Sequence, residues 1–273
     1  MRLRRNIQMT ILYLVFTVVG VIMLFPFVWM IATSFKTGTD IYNMSLIPKT
    51  FTLENYVDVI QGSQFPRWYL NSFIVAFICT ASVLVFDPLM GYAFCKFRFR
   101  GKEFIFILLL STMMIPTEMM IIPWYLMCAE LQWTNTYWAM IFPGLCSAFG
   151  LFLMRQFFTS VPNELLDAGR IDGLSEIGVY ARIALPLVKP ALSALGIFTF
   201  LGNWNSFLWP VIALDTSEKY TIAVGLAQFS AENSSQWELI MTGAAVATIP
   251  IIIIFLIFQK QIIEGVQLTG VKG

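Results

Sequence analysis

A chain of 273 residues in which 58% are apolar and only 12% are charged carries about half the charge of a soluble domain. Its apolar residues come in long runs, the pattern of lipid-spanning helices rather than of an oversized core, and its net charge of +1 gives a nucleic-acid partner no electrostatic support. With no histidine and four cysteines placed singly, Cys79, Cys95, Cys128 and Cys146, there is no CxxC pair and no zinc or haem ligand set. The cysteines read as small core hydrophobes.

The chain opens "MRLRRNIQMTILYLVF", a charged start followed by an apolar run, as in a signal peptide. The uncharged stretch continues through residues 6–35, well past a signal h-region of about 7–15 residues, with no small-residue cleavage site. A retained anchor is expected. Six apolar segments follow one another, at 10–35, 69–95, 104–128, 136–157, 190–214 and 239–258. Each reaches the roughly 20 residues a helix needs to cross the hydrocarbon, and unbroken runs mean helices, not barrel strands. The expected fold is an all-α membrane protein of six transmembrane helices, a single domain over 1–273.

Polar residues stand out in three of these segments. Asp87 lies in the second, where an unpaired carboxylate costs roughly 2.5–3.5 kcal/mol; it serves either a pathway or gate, or the packing. Glu118, between Pro116 and Pro123, marks a broken stretch of the third, lining a cavity or merely kinking the helix near the surface. In the fifth, "GNWNSFLWP" sets the amides of Asn203 and Asn205 beside the flat faces of Trp204 and Trp209. Buried amides need partners: they are either glue between helices or, with the rings, a lining for a sugar.

Orientation follows from the basic residues. With a cytoplasmic N-terminus, the inside segments hold Arg2, Arg4, Arg5, Lys96, Arg98, Arg100, Lys102, Arg155, Arg170, Arg182, Lys189, Lys260 and Lys272, thirteen of the 17. The outside holds four: Lys36, Lys49, Arg67 and Lys219. Trp68, Trp133, Trp138, Trp209 and Trp237 fall near the outer ends, where amphipathic rings favour the interface. Both termini are therefore expected inside.

The longest inside connection, 159–189, is polar: "PNELLDAGRIDGLSEIGVYARIALPLVKP". Pro162 suits a first helical turn, and Glu164 and Asp167 share a face near its positive end. Ala168, Gly169 and Gly173 are small, Asp172-Gly173 turns the chain, and Ser175 caps a second helix. This helix–turn–helix fits two uses: a knob for a partner's groove, or a segment lying along the membrane surface.

The same stretch resembles the "EAA" coupling loop of binding-protein-dependent, ABC-type importer permeases, in particular the carbohydrate-uptake permeases similar to the maltose permease. The pattern is Pro162, Glu164-Leu165, Asp167-Ala168 in the EAA position, Asp172-Gly173, Ser175, Arg182-Ile183, Leu185-Pro186-Leu187 and Pro190. It continues in "FTFLGNWNSFLWPVIAL", "WYLNSFIVA", "GYAFCKFRFRGK" and "QKQIIEGVQLTGVKG", covering most of the chain. The sequence departs from the pattern at Asp167 for glutamate, Gly169 for the second alanine, Leu174, Ala181 and Asp87-Pro88.

The resemblance implies a multi-pass permease of a prokaryotic cytoplasmic (inner) membrane, surrounded by lipid, with the loop residues Glu164, Leu165, Asp167, Ala168, Gly169, Asp172, Gly173 and Ser175 docking an ATPase. It implies as partners a second, different permease subunit, two ATP-binding cassette subunits, an extracytoplasmic solute-binding protein and a carbohydrate. ATP and Mg would sit on the ATPase. This chain lacks G-x-x-x-x-G-K-[ST] and any histidine-based nucleophile set, so it is expected to be no enzyme and to bind no cofactor, metal or nucleic acid. The rival is an ion-gradient-driven secondary transporter, which calls for paired intramembrane charges; Asp87 is nearly alone.

Overall fold

The structure, a computed structural model, describes residues 2–43 and 45–270, with side chains described except at 2–5, 7, 39 and 261–270. The side chains of Arg2, Arg4, Arg5 and Lys272, and most of the C-terminal stretch used above, lie outside the described residues. Among the described residues all regular structure is helical. In chain order the α-helices are α1 (Arg2–Ser34), α2 (Glu54–Gln61), α3 (Phe65–Lys96), α4 (Lys102–Ser111), α5 (Thr117–Glu130), α6 (Tyr137–Ile141), α7 (Ala148–Thr159), α8 (Asn163–Ile171), α9 (Glu176–Val179), α10 (Leu185–Leu187), α11 (Lys189–Trp204), α12 (Leu208–Ala213), α13 (Ile222–Glu232) and α14 (Trp237–Gly270). A π-helical turn, Tyr180–Ala184, joins α9 to α10.

Among the described residues four stretches are long and apolar enough to cross a membrane: Gln8–Ser34, Phe65–Lys96, Tyr137–Thr159 and Trp237–Lys260. Two bent pairs, Lys102–Met114 with Thr117–Glu130 and Glu176–Leu187 with Lys189–Trp204, the latter at 81°, bring the number to six if each pair is one span. Lys102–Met114 and Thr117–Glu130, which cover the expected third span 104–128, meet at 100°. Pro116 drives Ile115, just before it, out of the helical region to φ −85°, ψ 115°. The expected fifth span, 190–214, is also interrupted. α11 stops at Trp204, Asn205 caps it, and α12 restarts at Leu208. The amides of Asn203 and Asn205 bond back to the carbonyls of Thr199 and Leu201, both at 2.9 Å, offering the backbone an exit from the helix.

The chain forms two compact units. The first comprises residues 1–66 and 225–249. α1 exposes apolar side chains along most of its length, and the segment after it ties off its end. Asn55 of α2 donates to the carbonyls of Ser34 (2.8 Å) and Lys36 (2.9 Å), satisfying acceptors that a helix terminus leaves open. Thr242 of α14 also donates to Ser34 O. Lys36 is fully buried; its ammonium donates to Asn43 O at 2.9 Å and lies 4.8 Å from the Trp29 ring. The Lys49 backbone N–H, followed by the Asn43 amide, holds the Asp40 carboxyl below the usual range.

The second unit comprises residues 67–224 and 250–273. Its main core joins α3, α7, α11 and the segment between α7 and α11: Val83, Tyr92, Met154, Phe158, Leu166, Val179, Tyr180, Ala184, Val188, Ala191 and Leu195. A second cluster gathers Val75, Cys79, Cys128, Ala139, Met140 and Trp209 around α6 and α12. Cys79 and Cys128 are fully buried, as small hydrophobes would be, whereas Cys95 is half-buried and Cys146 exposed, outside the core expected for them; all four are free thiols.

Candidate functional site

The polar connection folds as two helices around one turn. Pro162 stands at the N-cap of α8, just ahead of the first turn expected for it. α8 ends in a Schellman motif: Leu174 N–H donates to Gly169 O and Gly173 N–H to Arg170 O, both at 3.0 Å. The motif needs a left-handed residue at its pivot, and Gly173 supplies it with φ +85°. Ser175 then caps α9, its Oγ accepting from Gly178 N–H at 3.2 Å.

Gly169, unlike the rest of the set, faces inward and is buried. A Cβ there would collide with Ile183 Cδ1, so the small residue brings α8 against the π-turn. Leu166 is likewise buried. The remaining expected residues, Glu164, Leu165, Asp167, Ala168, Asp172, Gly173 and Ser175, are exposed together on the outer surface of the loop. With them stand two large apolar residues outside the expected set, Ile171 at 86% exposure and Ile177 at 77%; Ile177 recurs at helical spacing with Tyr180, Ile183 and Ala184 but does not share the burial of Tyr180 and Ala184.

Three polar ties hold the loop in shape. Arg170 bonds Asp167 Oδ1 at 2.6 Å within α8 and Glu176 at 2.7 and 3.1 Å across the turn. These bonds, Glu176 foremost, raise the Arg170 pKa further above its ordinary value, and Arg170 in turn lowers the Glu176 carboxyl. The Asp167–Arg170 spacing of three was readable as a helix-surface pair; the bond to Glu176 depends on the turn and was not. Lys96, at the end of α3, donates to Val161 O at 2.6 Å and Asn163 Oδ1 at 2.9 Å. Beneath, the Tyr180 ring rests 5.2 Å from Tyr92 of α3.

The other candidate residues do not converge on one site. Asp87 is fully buried and both its oxygens accept from Ser147, at the start of α7. Glu118 is exposed in the first turn of α5. Trp209 is buried; its Nε1 donates to Ala139 O at 3.0 Å and its ring meets Trp124 edge-on at 5.6 Å. Trp204 is buried between Phe200 and Tyr69, at 6.0 and 5.1 Å. Asn205 is exposed and Asn203 half-buried at the interruption after α11, where Asn203 Oδ1 lies near Gly144.

Residues 89–267 match the family described as "Binding-protein-dependent transport system inner membrane component". The chain belongs to this family of membrane transport components; it is a permease subunit and not an enzyme. Among its relatives is the arabinooligosaccharides transport system permease protein AraQ of Bacillus subtilis (strain 168), 34% identical over 96% of this chain and 95% of that one. The trehalose/maltose transport system permease protein MalG of Thermococcus litoralis is 32% identical over 93% of each. The lactose transport system permease protein LacG of Rhizobium radiobacter is 30% identical over 99% of this chain and 98% of that one. The fold is that of a chain in the crystal structure of a bacterial ABC transporter involved in the import of the acidic polysaccharide alginate, with a TM-score of 0.82 at 23% identity, covering 93% of this chain and 96% of that one.

Proposed function

We propose that the whole chain works as one transmembrane domain of an ATP-driven importer carrying a sugar or oligosaccharide across a prokaryotic cytoplasmic membrane. In this reading it has six spans with both termini inside, the third bent at Pro116 and the fifth broken after Trp204. Residues 159–189 form the cytoplasmic loop that docks an ATPase. The relatives' saccharide names support the cargo, and the family description supports an external binding protein. A second, different permease chain and two ATP-binding subunits complete the assembly, with ATP and Mg held by the latter.

The observation that carries the reading is the shared core. Leu166, Val179, Tyr180 and Ala184 of the loop pack in one cluster with residues of α3, α7 and α11, while the loop's outer surface stays open. Close-packed interiors transmit displacement rather than absorb it, so a push on the exposed surface reaches the membrane helices. The candidate pathway residues divide within this reading. Asn203, Trp204 and Asn205 stand where a helix breaks, and irregular backbone at membrane depth is tolerated where it lines a cavity. Asp87 and Trp209 spend their polar atoms on neighbouring helices. Glu118, exposed beside the other break, belongs with the pathway.

The test is uptake by vesicles reconstituted with all subunits. Uptake should need ATP on the side of the loop and persist after ion gradients are collapsed. Gly173→Arg, which forces a side chain into a left-handed turn, should leave the permease inserted but release the ATPase on purification; Glu164→Lys should do so more mildly. Uptake abolished by an ionophore and indifferent to ATP would replace this reading with gradient coupling.

A further inference from the structure

The connection from α3 to α4, "KFRFRGK" over residues 96–102, alternates basic and aromatic residues, and the structure separates the two sets. Residues 97–99 are non-helical. Phe97 packs edge-on to Tyr92 at 5.7 Å and Phe99 to Phe94 at 5.5 Å, which fixes both rings against α3. The basic residues then divide by use. Lys96 is committed to Val161 O and Asn163, and Lys102 to the carbonyls of Phe97 (3.0 Å) and Cys95 (3.3 Å). The nearby carboxylate, Glu103, is taken by Arg155, 3.3 Å away, whose guanidinium also lies 3.8 Å from the Phe106 ring. Arg98 and Arg100 remain exposed, and neither forms an ion pair among the described residues.

Arg98 lines an open cavity of about 390 Å³ with Phe99, Gly101, Lys102, Glu103 and Phe104. Its rim continues directly into an apolar surface: Phe104, Ile105, Ile107 and Leu108 of α4 are all exposed. Cationic forks thus stand at the foot of a helix face that needs hydrocarbon.

We infer that Arg98 and Arg100 bind the phosphodiester headgroup of an anionic phospholipid, with its acyl chains laid along the exposed face of α4. Guanidinium matches phosphate bidentately, and basic residues beside an inner-leaflet interface recognise anionic headgroups. A peptide or nucleic acid would leave the adjoining apolar face unexplained; a lipid covers both. The inference rests on the orientation proposed above, which puts this connection inside.

The test is native mass spectrometry of the complete detergent-purified transporter, titrated with phosphatidylglycerol or with phosphatidylcholine of the same chains. Phosphatidylglycerol should be retained preferentially. Arg98→Gln with Arg100→Gln should weaken its retention about 30-fold, from about fivefold per basic residue near an anionic surface, leaving phosphatidylcholine unchanged. Arg67→Gln, at the opposite end of α3, should change neither. Arg98→Lys with Arg100→Lys should fall between the wild type and the glutamine pair, because charge is kept and the fork is lost. Inorganic phosphate at millimolar concentration should not displace the lipid.

Equal retention of the two lipids by the wild type would overturn the inference. So would undiminished phosphatidylglycerol in the glutamine pair, displacement by phosphate alone, or a lysine pair as weak as the glutamine pair. Lipid retention requires neither ATP nor sugar. A transporter that imports sugar with ATP yet ignores headgroup charge sinks this inference alone, whereas one that selects the lipid but does not transport sinks the importer reading alone.

Discussion

A carboxylate inside an apolar helix needs donors, and Asp87 draws three contacts from one residue. The Ser147 N–H reaches Oδ1 at 3.1 Å and Oδ2 at 3.2 Å, and the Ser147 hydroxyl donates to Oδ2 at 2.9 Å while accepting from Gly150 N–H at 2.8 Å. The acid therefore sits at the positive end of α7, and Gly150 is where α7 makes room for it, since a Cβ there would collide with Asp87 Oδ2. Asp87→Leu would strand the Ser147 donor, at a cost of about 1–3 kcal/mol; Asp87→Asn can still accept from the N–H. We expect the leucine variant, and Gly150→Ala, to lower the thermal midpoint of the detergent-purified permease by several degrees, and asparagine to lower it little. A leucine variant of normal stability but altered sugar selectivity would assign Asp87 to the pathway instead.

At the scale of elements, the loop's geometry rests on a buried glycine and an exposed ion pair. Gly169→Leu should push α8 off the π-turn and weaken ATPase co-purification, although position 169 itself is buried. Normal co-purification would show that the spacing of the two helices is immaterial to docking. The Glu176 carboxyl is held below its ordinary value by Arg170. Its contribution is therefore complete above the unfolded carboxylate range, about pH 4.3, and is lost as pH falls through the lower folded value. Exposed pairs are worth on the order of 1 kcal/mol or less, so the effect is local loosening. The protection factors of amides 163–178, each taken against the intrinsic exchange rate at that pH, should fall in acid in the native chain but show no acid-specific fall in Glu176→Gln. The same acid response in both would clear this pair of any part.

At the scale of the whole molecule, the thirteen-to-four distribution of basic residues predicts which ends face inward. In a cysteine-free background, a cysteine at exposed Ser234 should react with an impermeant thiol reagent added outside intact cells, and one at exposed Ser175 should not. Labelling of Ser175 would invert the topology. Much of the helical content was legible, because a run of some 20 apolar residues has few alternatives to a lipid-spanning helix. The loop was legible too: its turn depends on Asp172-Gly173 and its cap on Ser175, all local in sequence.

What the sequence determined by itself were the properties set by composition and nearest neighbours: a helical membrane chain, the sidedness expected of it, and a polar helix–turn–helix between greasy runs. The tertiary structure decided the rest. It set Lys102–Met114 at 100° to Thr117–Glu130 and ended α11 at Trp204, because apolar length measures a segment's solubility in lipid but not its straightness. It buried Gly169 and left Ile171 and Ile177 exposed, a division set by where α8 lies on the π-turn. It joined Arg170 to Glu176, Lys96 to Val161 and Asp87 to Ser147. The last two of these cross 65 and 60 residues, and which distant donor meets which acceptor is fixed only when the helices pack.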